Sequence, residues 1–230
     1  MTQRYFAIIG TMRTGSNLLE KTIERFGDTA CYGEAFNPGF ISGPRKQDVL
    51  GWSVRERDAD PTGFLESIIT ETPYLVPGFR IFDEHDRAVL EQVLADPRCR
   101  RIVLRRDPVE SYVSLEIARL TGQWMLREPR NRMTARIRFD PEAFGRYRRR
   151  VEAHYADVEA LMRRAGTNAL QLDYADLDSR AILGRVAAHI GSRGVVPEAP
   201  PIQRQNSPDM MEKVENYEEM CAYLGGDFAA

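Results

Sequence analysis

The sequence predicts an α/β protein, a three-layer sandwich built on a central parallel sheet of about five strands. Three observations lead there. Short apolar runs of strand length alternate with stretches of helical periodicity. The runs are apolar almost throughout rather than at every second position, as strands buried on both faces require. Arg106-Asp107-Pro108 closes one such run with the residues of a helix start, Asp as N-cap and Pro at the first helical position.

Tyr5-Phe6-Ala7-Ile8-Ile9 is the first strand, stopped by Gly10. Asn17 to Phe26 follows as a helix, with Leu18, Leu19, Ile23 and Phe26 on one face. Thr29 to Tyr32 reads as the second strand. Residues Asn37 to Pro61 are rich in Gly, Pro, Asp and Arg and read as a long loop, the kind that carries binding contacts or acts as a lid. A helix at Pro61 to Thr70, a strand at Tyr74 to Phe82 and a helix at Asp86 to Ala95 come next. The fourth strand is Arg101 to Arg105, with a helix opening after Pro108. Glu142 to Arg164 has an apolar stripe of Phe144, Tyr147, Val151, Val158 and Leu161 and an arginine-studded opposite face. Asn168 to Leu172 is the fifth strand and Ser179 to Ile190 another helix. An extended, proline-rich tail from Pro197 precedes a last helix at Met210 to Leu224. Residues 1–230 are expected to form one domain, with a helical segment at about 125–166 and the tail plus helix at 197–225.

A chain of 230 residues can bury a full core, and its composition is that of a soluble globular protein. A net charge of −2 argues against a nucleic-acid partner, which would call for a strongly basic chain. Any anion must therefore be held by a local cluster. Cys31, Cys99 and Cys221 have no zinc, redox-pair or disulfide spacing and read as idle thiols in a reducing cytoplasm. No apolar run is long enough for a membrane span, so the expected location is cytoplasmic.

Gly10-Thr11-Met12-Arg13-Thr14-Gly15-Ser16-Asn17 joins the first strand to the first helix with the glycine spacing of a phosphate-binding loop. Such a loop turns backbone N–H groups and a helix N-terminus toward an anion. Ser16-Asn17 stands where an ATPase needs Lys and then Ser or Thr, so the loop suits a phosphate but not metal-assisted ATP hydrolysis. No metal is expected. A second candidate follows the fourth strand. Arg106 sits at the strand end, and Ser114 lies two turns into the next helix, roughly 9 Å beyond Pro108 by helical rise. In an open parallel sheet both loops lie outside the carboxyl ends of the strands, where ligands bind.

Together the two segments resemble those of sulfotransferases that use 3′-phosphoadenylyl sulfate (PAPS). Thr11 to Leu19 is similar to the family's 5′-phosphosulfate loop, and Arg106-x-Pro108 with Ser114 to its 3′-phosphate motif. Gly33-Glu34-Ala35-Phe36-Asn37, Gly78-Phe79-Arg80 and Tyr174-Ala175-Asp176-Leu177 resemble segments of bacterial carbohydrate sulfotransferases. Arg204-Gln205-Asn206 and Glu215 to Glu219 resemble that group's C-terminal signature, and Ala118 to Trp124 resembles the nodulation-factor enzymes. Arg13 and Arg80 stand where many members carry lysine.

The resemblance implies a phosphate-loop nucleotide-binding fold and PAPS as donor. Arg13, Thr14, Gly15, Ser16 and Asn17 would then hold the 5′-phosphate, and Arg106 and Ser114 the 3′-phosphate, with Arg204 closing over it. The partner would be a small-molecule or glycan acceptor, and the reaction an in-line sulfonyl transfer to its hydroxyl. Arg13 and Arg80 would neutralise charge at the reacting groups. Glu34 is the first candidate for general base and His85 the second, while His154 and His189 lie inside helices and read as structural. Trp124, Tyr112 and Phe36 are candidate stacking surfaces. The alternatives are a phosphate-loop small-molecule kinase and a non-catalytic nucleotide-binding protein of the same fold.

Overall fold

The computed structural model describes residues 3–124, 129–198 and 209–226. Its elements are β1 (Tyr5–Gly10), α1 (Ser16–Glu24), β2 (Thr29–Cys31), β3 (Asp48–Val49), β4 (Trp52–Ser53), α2 (Val54–Ala59) and α3 (Pro61–Thr70). Then follow β5 (Val76–Phe82), α4 (Arg87–Ala95), β6 (Cys99–Arg105), α5 (Pro108–Thr121), α6 (Pro141–Ala165), β7 (Ala169–Asp173), α7 (Arg180–Ile190) and α8 (Tyr217–Leu224). Five strands make a parallel sheet in the order β2-β5-β1-β6-β7.

The burial pattern of β1 explains its unbroken apolar run. Tyr5, Ala7 and Ile9 enter one core with Phe79, Ile81 and Val103, under residues of α3, α4, α5 and α6. Phe6 and Ile8 enter the other, with Ile102, Leu104 and residues of α1 and α7. Helices thus cover both faces, as the sequence predicts. Register tightens the packing further. Phe6 lies opposite Gly78, where any Cβ would collide with its ring.

α6 is set by its ends. The Asp140 side chain accepts from the N–H groups of Glu142 and Ala143, Pro141 occupies the first turn, and Gly166 terminates it at φ 64°. Among the described residues no helix is long and apolar enough to cross a membrane.

Three expectations are corrected. Residues 37–61 are not a plain loop: β3 and β4 pair antiparallel, and α2 follows, closed by a Ser53/Glu56 capping box. The helical segment expected from about 125 begins at Pro141, and the described residues of that stretch before it hold a 3-10 turn at Pro129–Asn131 and an isolated bridge at Ile137. The last helix begins at Tyr217 rather than Met210. Val214 is instead drawn into a bridge with Ile137, and hydrogen bonds run both ways between Ile137 and Lys213/Glu215. Apolar spacing is not enough to hold a helix that loses its backbone to a neighbouring strand-like segment.

Arg57 of α2, 2% exposed, donates through one nitrogen to the carbonyls of Ala35, Asn37 and Phe40 and pairs with Asp58. This arginine gathers the segment that follows Glu34. Arg57→Met is expected to lower stability by about 3 kcal/mol, because one buried and two partly buried carbonyls lose their donor at once. Urea unfolding checks this, and an unchanged midpoint would show that the segment holds itself.

Candidate functional site

The loop after β1 is shaped by two left-handed residues, Arg13 at φ 69° and Gly15 at φ 91°. Thr14 Oγ1 donates to the Thr11 carbonyl at 2.9 Å and closes the turn. α1 then starts without a side-chain cap and without an acidic residue in its first turn. Its leading N–H groups and the positive end of its dipole therefore face the loop unopposed. A Cβ on Gly15 would run into the Tyr174 ring, and the left-handed φ adds strain. Gly15→Ala is expected to push the loop off Tyr174 and weaken anion binding by at least about tenfold; titration with 3′,5′-ADP measures this.

The two predicted anion segments meet. Arg13 Nε donates to Ser114 Oγ at 3.0 Å, and Arg106 donates to the Arg13 carbonyl at 3.0 Å. Arg106 also pairs with Glu110 at 3.0 Å, and its guanidinium lies 4.0 Å over the Tyr174 ring. Tyr174 thus supports Gly15 and Arg106 together. Burial, and then the charge of Arg106, lowers the Arg13 pKa to about 10. A second arginine shares the same space. Arg13 also donates to the Trp124 carbonyl at 2.6 Å.

On the other side of the loop stands Arg80, buried on β5. Its Nε meets Glu20 at 2.5 Å, and one terminal nitrogen lies 3.3 Å from both Ser16 Oγ and Glu34 Oε1. Glu20, a buried carboxylate one turn into α1, is a residue sequence reasoning missed. Nothing local in the sequence marks it, since the arginine that pairs with it lies on the distant β5.

Glu34 follows β2 and is fixed by its backbone. Its N–H and C=O bond to Ser42, and the N–H of Arg80 donates to the carbonyl of Gly33. Asn37 Nδ2 donates to Glu34 Oε2 at 2.8 Å, and His85 Nε2 lies 3.5 Å from the same oxygen. Burial works against ionisation of Glu34, but His85, Arg80 and Asn37 outweigh it and hold the carboxyl below its ordinary value. The Phe82 N–H donates to His85 Nδ1, so Nε2 carries the ring hydrogen and points it at Glu34. The side chain of Glu34 is 19% exposed and that of His85 only 1%, so the carboxylate is the member of the pair that reaches outward.

Arg13, Thr14, Gly15, Ser16, Asn17, Arg80, Arg106 and Ser114 therefore share the carboxyl edge of β1, β5 and β6, with Glu34 and His85 beside them. Arg204 lies outside the described residues. Phe36 and Tyr112 are buried among other aromatic rings and are core, whereas Trp124 is exposed. Lys213, also missed, is 6% exposed; burial and then the charge of Arg106 lower its pKa. The bridge at Val214 that replaces the expected helix start is what buries it. Arg150 is not only a solvated residue, since it pairs with Asp83 and Glu84. Among the described residues no group of three or more His, Cys, Asp or Glu side chains is placed to hold a metal ion.

No protein-family model and no curated protein matches the sequence. Its structure does have a likeness among solved ones. A sulfotransferase from Alicyclobacillus acidocaldarius superposes with a TM-score of 0.53 at 15% identity, covering 98% of this chain and 92% of the other. The chain therefore shares the fold of that sulfotransferase, an α/β sandwich with a five-stranded parallel sheet.

Proposed function

We propose that this protein is a sulfotransferase that moves the sulfonyl group of PAPS to a hydroxyl of a carbohydrate or glycolipid-like acceptor, as one cytoplasmic domain. The observation that carries the reading is the junction of Arg13, Ser114 and Arg106, which joins a phosphate loop to a second cationic site at one sheet edge. An ordinary adenylate has no use for that second site; a nucleotide with a 3′-phosphate does.

PAPS supplies an activated sulfonyl group and a phosphate leaving group. Arg13 and the N–H groups of Thr14, Gly15 and Ser16 hold the 5′-phosphate, and Ser16 and Asn17 assist. Arg106 and Ser114 take the 3′-phosphate, with Lys213 adding charge nearby. Glu34 takes the proton of the acceptor hydroxyl as its oxygen bonds to sulfur and the bond from sulfur to the phosphate oxygen breaks. His85 serves this step from behind, by directing its Nε2 hydrogen at Glu34, and Arg80 ties Glu34 to Ser16. The protein's contribution is position and charge rather than covalent chemistry.

Calorimetric titration with 3′,5′-ADP, AMP and ATP–Mg²⁺ tests the reading. Strong preference for 3′,5′-ADP is expected. Equal or tighter binding of ATP–Mg²⁺ would replace this reading with the kinase, against which Ser16-Asn17 already speaks.

A further inference from the structure

A second basic pocket opens at the other end of the sheet, where β6 and β7 begin. Its volume is about 150 Å³, and Pro97, Arg100, Arg101, Thr167, Asn168 and His189 are among its lining residues. The walls contain two arginines and no carboxylate. Arg101 is 4% exposed, and among the described residues its guanidinium is met only by the carbonyls of Val93, Cys99 and Asp96. These satisfy three of its five N–H donors and supply no formal negative charge. Such a buried cation is ordinarily matched by an anion.

Arg100 adds a second charge. Its side chain makes no hydrogen bond or ion pair with any described residue, and the same holds for the Asn168 amide. His189 completes the wall. Its Nε2 lies 2.8 Å from the Arg101 carbonyl, which only accepts, so Nε2 carries the hydrogen and Nδ1 is left as the basic nitrogen. Burial, with Arg100 and Arg101 behind it, lowers the His189 pKa. The cations therefore make themselves felt on the pocket wall.

We propose that this pocket binds a tetrahedral oxyanion, phosphate or sulfate, free or as the terminal group of a small metabolite, with Arg100 and Asn168 as its donors and Arg101 adding charge from the other face of β6. It is separate from the proposed donor site, which lies at the carboxyl ends of the strands, and does not depend on that reading. An anion there also favours His189 in its protonated form, so binding strengthens as pH falls toward the histidine range.

Inorganic phosphate is the probe, with Arg106→Ala as the background in which the donor site is weakened. One phosphate per chain is expected to bind that variant with a Kd on the order of 1 mM or tighter. Adding Arg100→Ala is expected to weaken it at least about tenfold. In the wild type, phosphate is expected to shift the ring resonances of His189 and raise its titration midpoint, a readout needing no substitution in the pocket. Retained 3′,5′-ADP binding by the Arg100→Ala single variant, or an unchanged melting temperature, shows the variant folded. The inference is overturned by absence of saturable binding in the Arg106→Ala background, by binding indifferent to Arg100→Ala, or by His189 resonances that phosphate leaves unmoved.

Discussion

Arg106→Ala is expected to weaken 3′,5′-ADP binding about 100-fold, while AMP binding falls far less. The reasoning follows from what Arg106 touches. Its guanidinium is fixed from three directions, by Glu110, by the Arg13 carbonyl and by the face of Tyr174, so it is held in place before any ligand arrives. Truncation removes a preorganised charge and also a support of the loop that carries Arg13. Arg106→Lys keeps the charge and loses the planar fork that reaches Arg13 and Glu110 together, so it should fall between the two. Calorimetry with both nucleotides separates the effects. Equal losses for AMP and 3′,5′-ADP would mean that Arg106 only shapes the loop, and wild-type affinity in the alanine variant would remove it from the donor site.

Glu34→Gln should lower the rate of sulfonyl transfer by about 100- to 10,000-fold with nucleotide affinity within about threefold of wild type. Glutamine keeps the contact with Asn37 and cannot take a proton. The pH dependence follows from the direction of the Glu34 shift. Burial raises its pKa, and His85, Arg80 and Asn37 together lower it further than burial raises it. A carboxyl depressed in this way is an ionised base throughout the neutral range, and activity is lost only as pH falls through its lowered value. His85→Phe removes the largest of the opposing contacts, so the acid limb of the rate profile should move to higher pH. If His85 were itself the base, the phenylalanine variant would instead lose the rate at every pH. Steady-state rates between pH 4 and 8 decide between them.

Much of the fold was legible from sequence because parallel strands and the glycine-bracketed turns between them and their helices are locally coded. β1, β5 and β6 announce themselves as apolar runs, and Gly10 and Gly15 bracket a loop in the one context where such spacing matters. Asp107 and Pro108 mark the start of α5 within a residue. Glu20 and Lys213 were not legible, because their place depends on which distant segment packs on them. Charge pattern alone would have left both on the surface. The direction in which His85 points its ring hydrogen turned on a tautomer set by the Phe82 amide, a fact of local geometry. α2 was hidden by its length: one and a half turns produce no periodicity, although the Ser53/Glu56 pair was there to be read.

The strand order has a consequence for how the protein reaches its native state. Arg13 and Ser114 are 101 positions apart, Arg106 and the Arg13 carbonyl 93, and Arg80 and Ser16 64. Each pairing closes a long loop before burial returns the entropy lost, so these contacts are expected to form late and together. Nucleotide binding should accordingly emerge in the slowest refolding phase, after helical signal has recovered. A nascent chain that has not yet delivered β6 and α5 has the loop after β1 and three of the five strands of its sheet, and still lacks the Arg106 and Ser114 proposed to hold a 3′-phosphate.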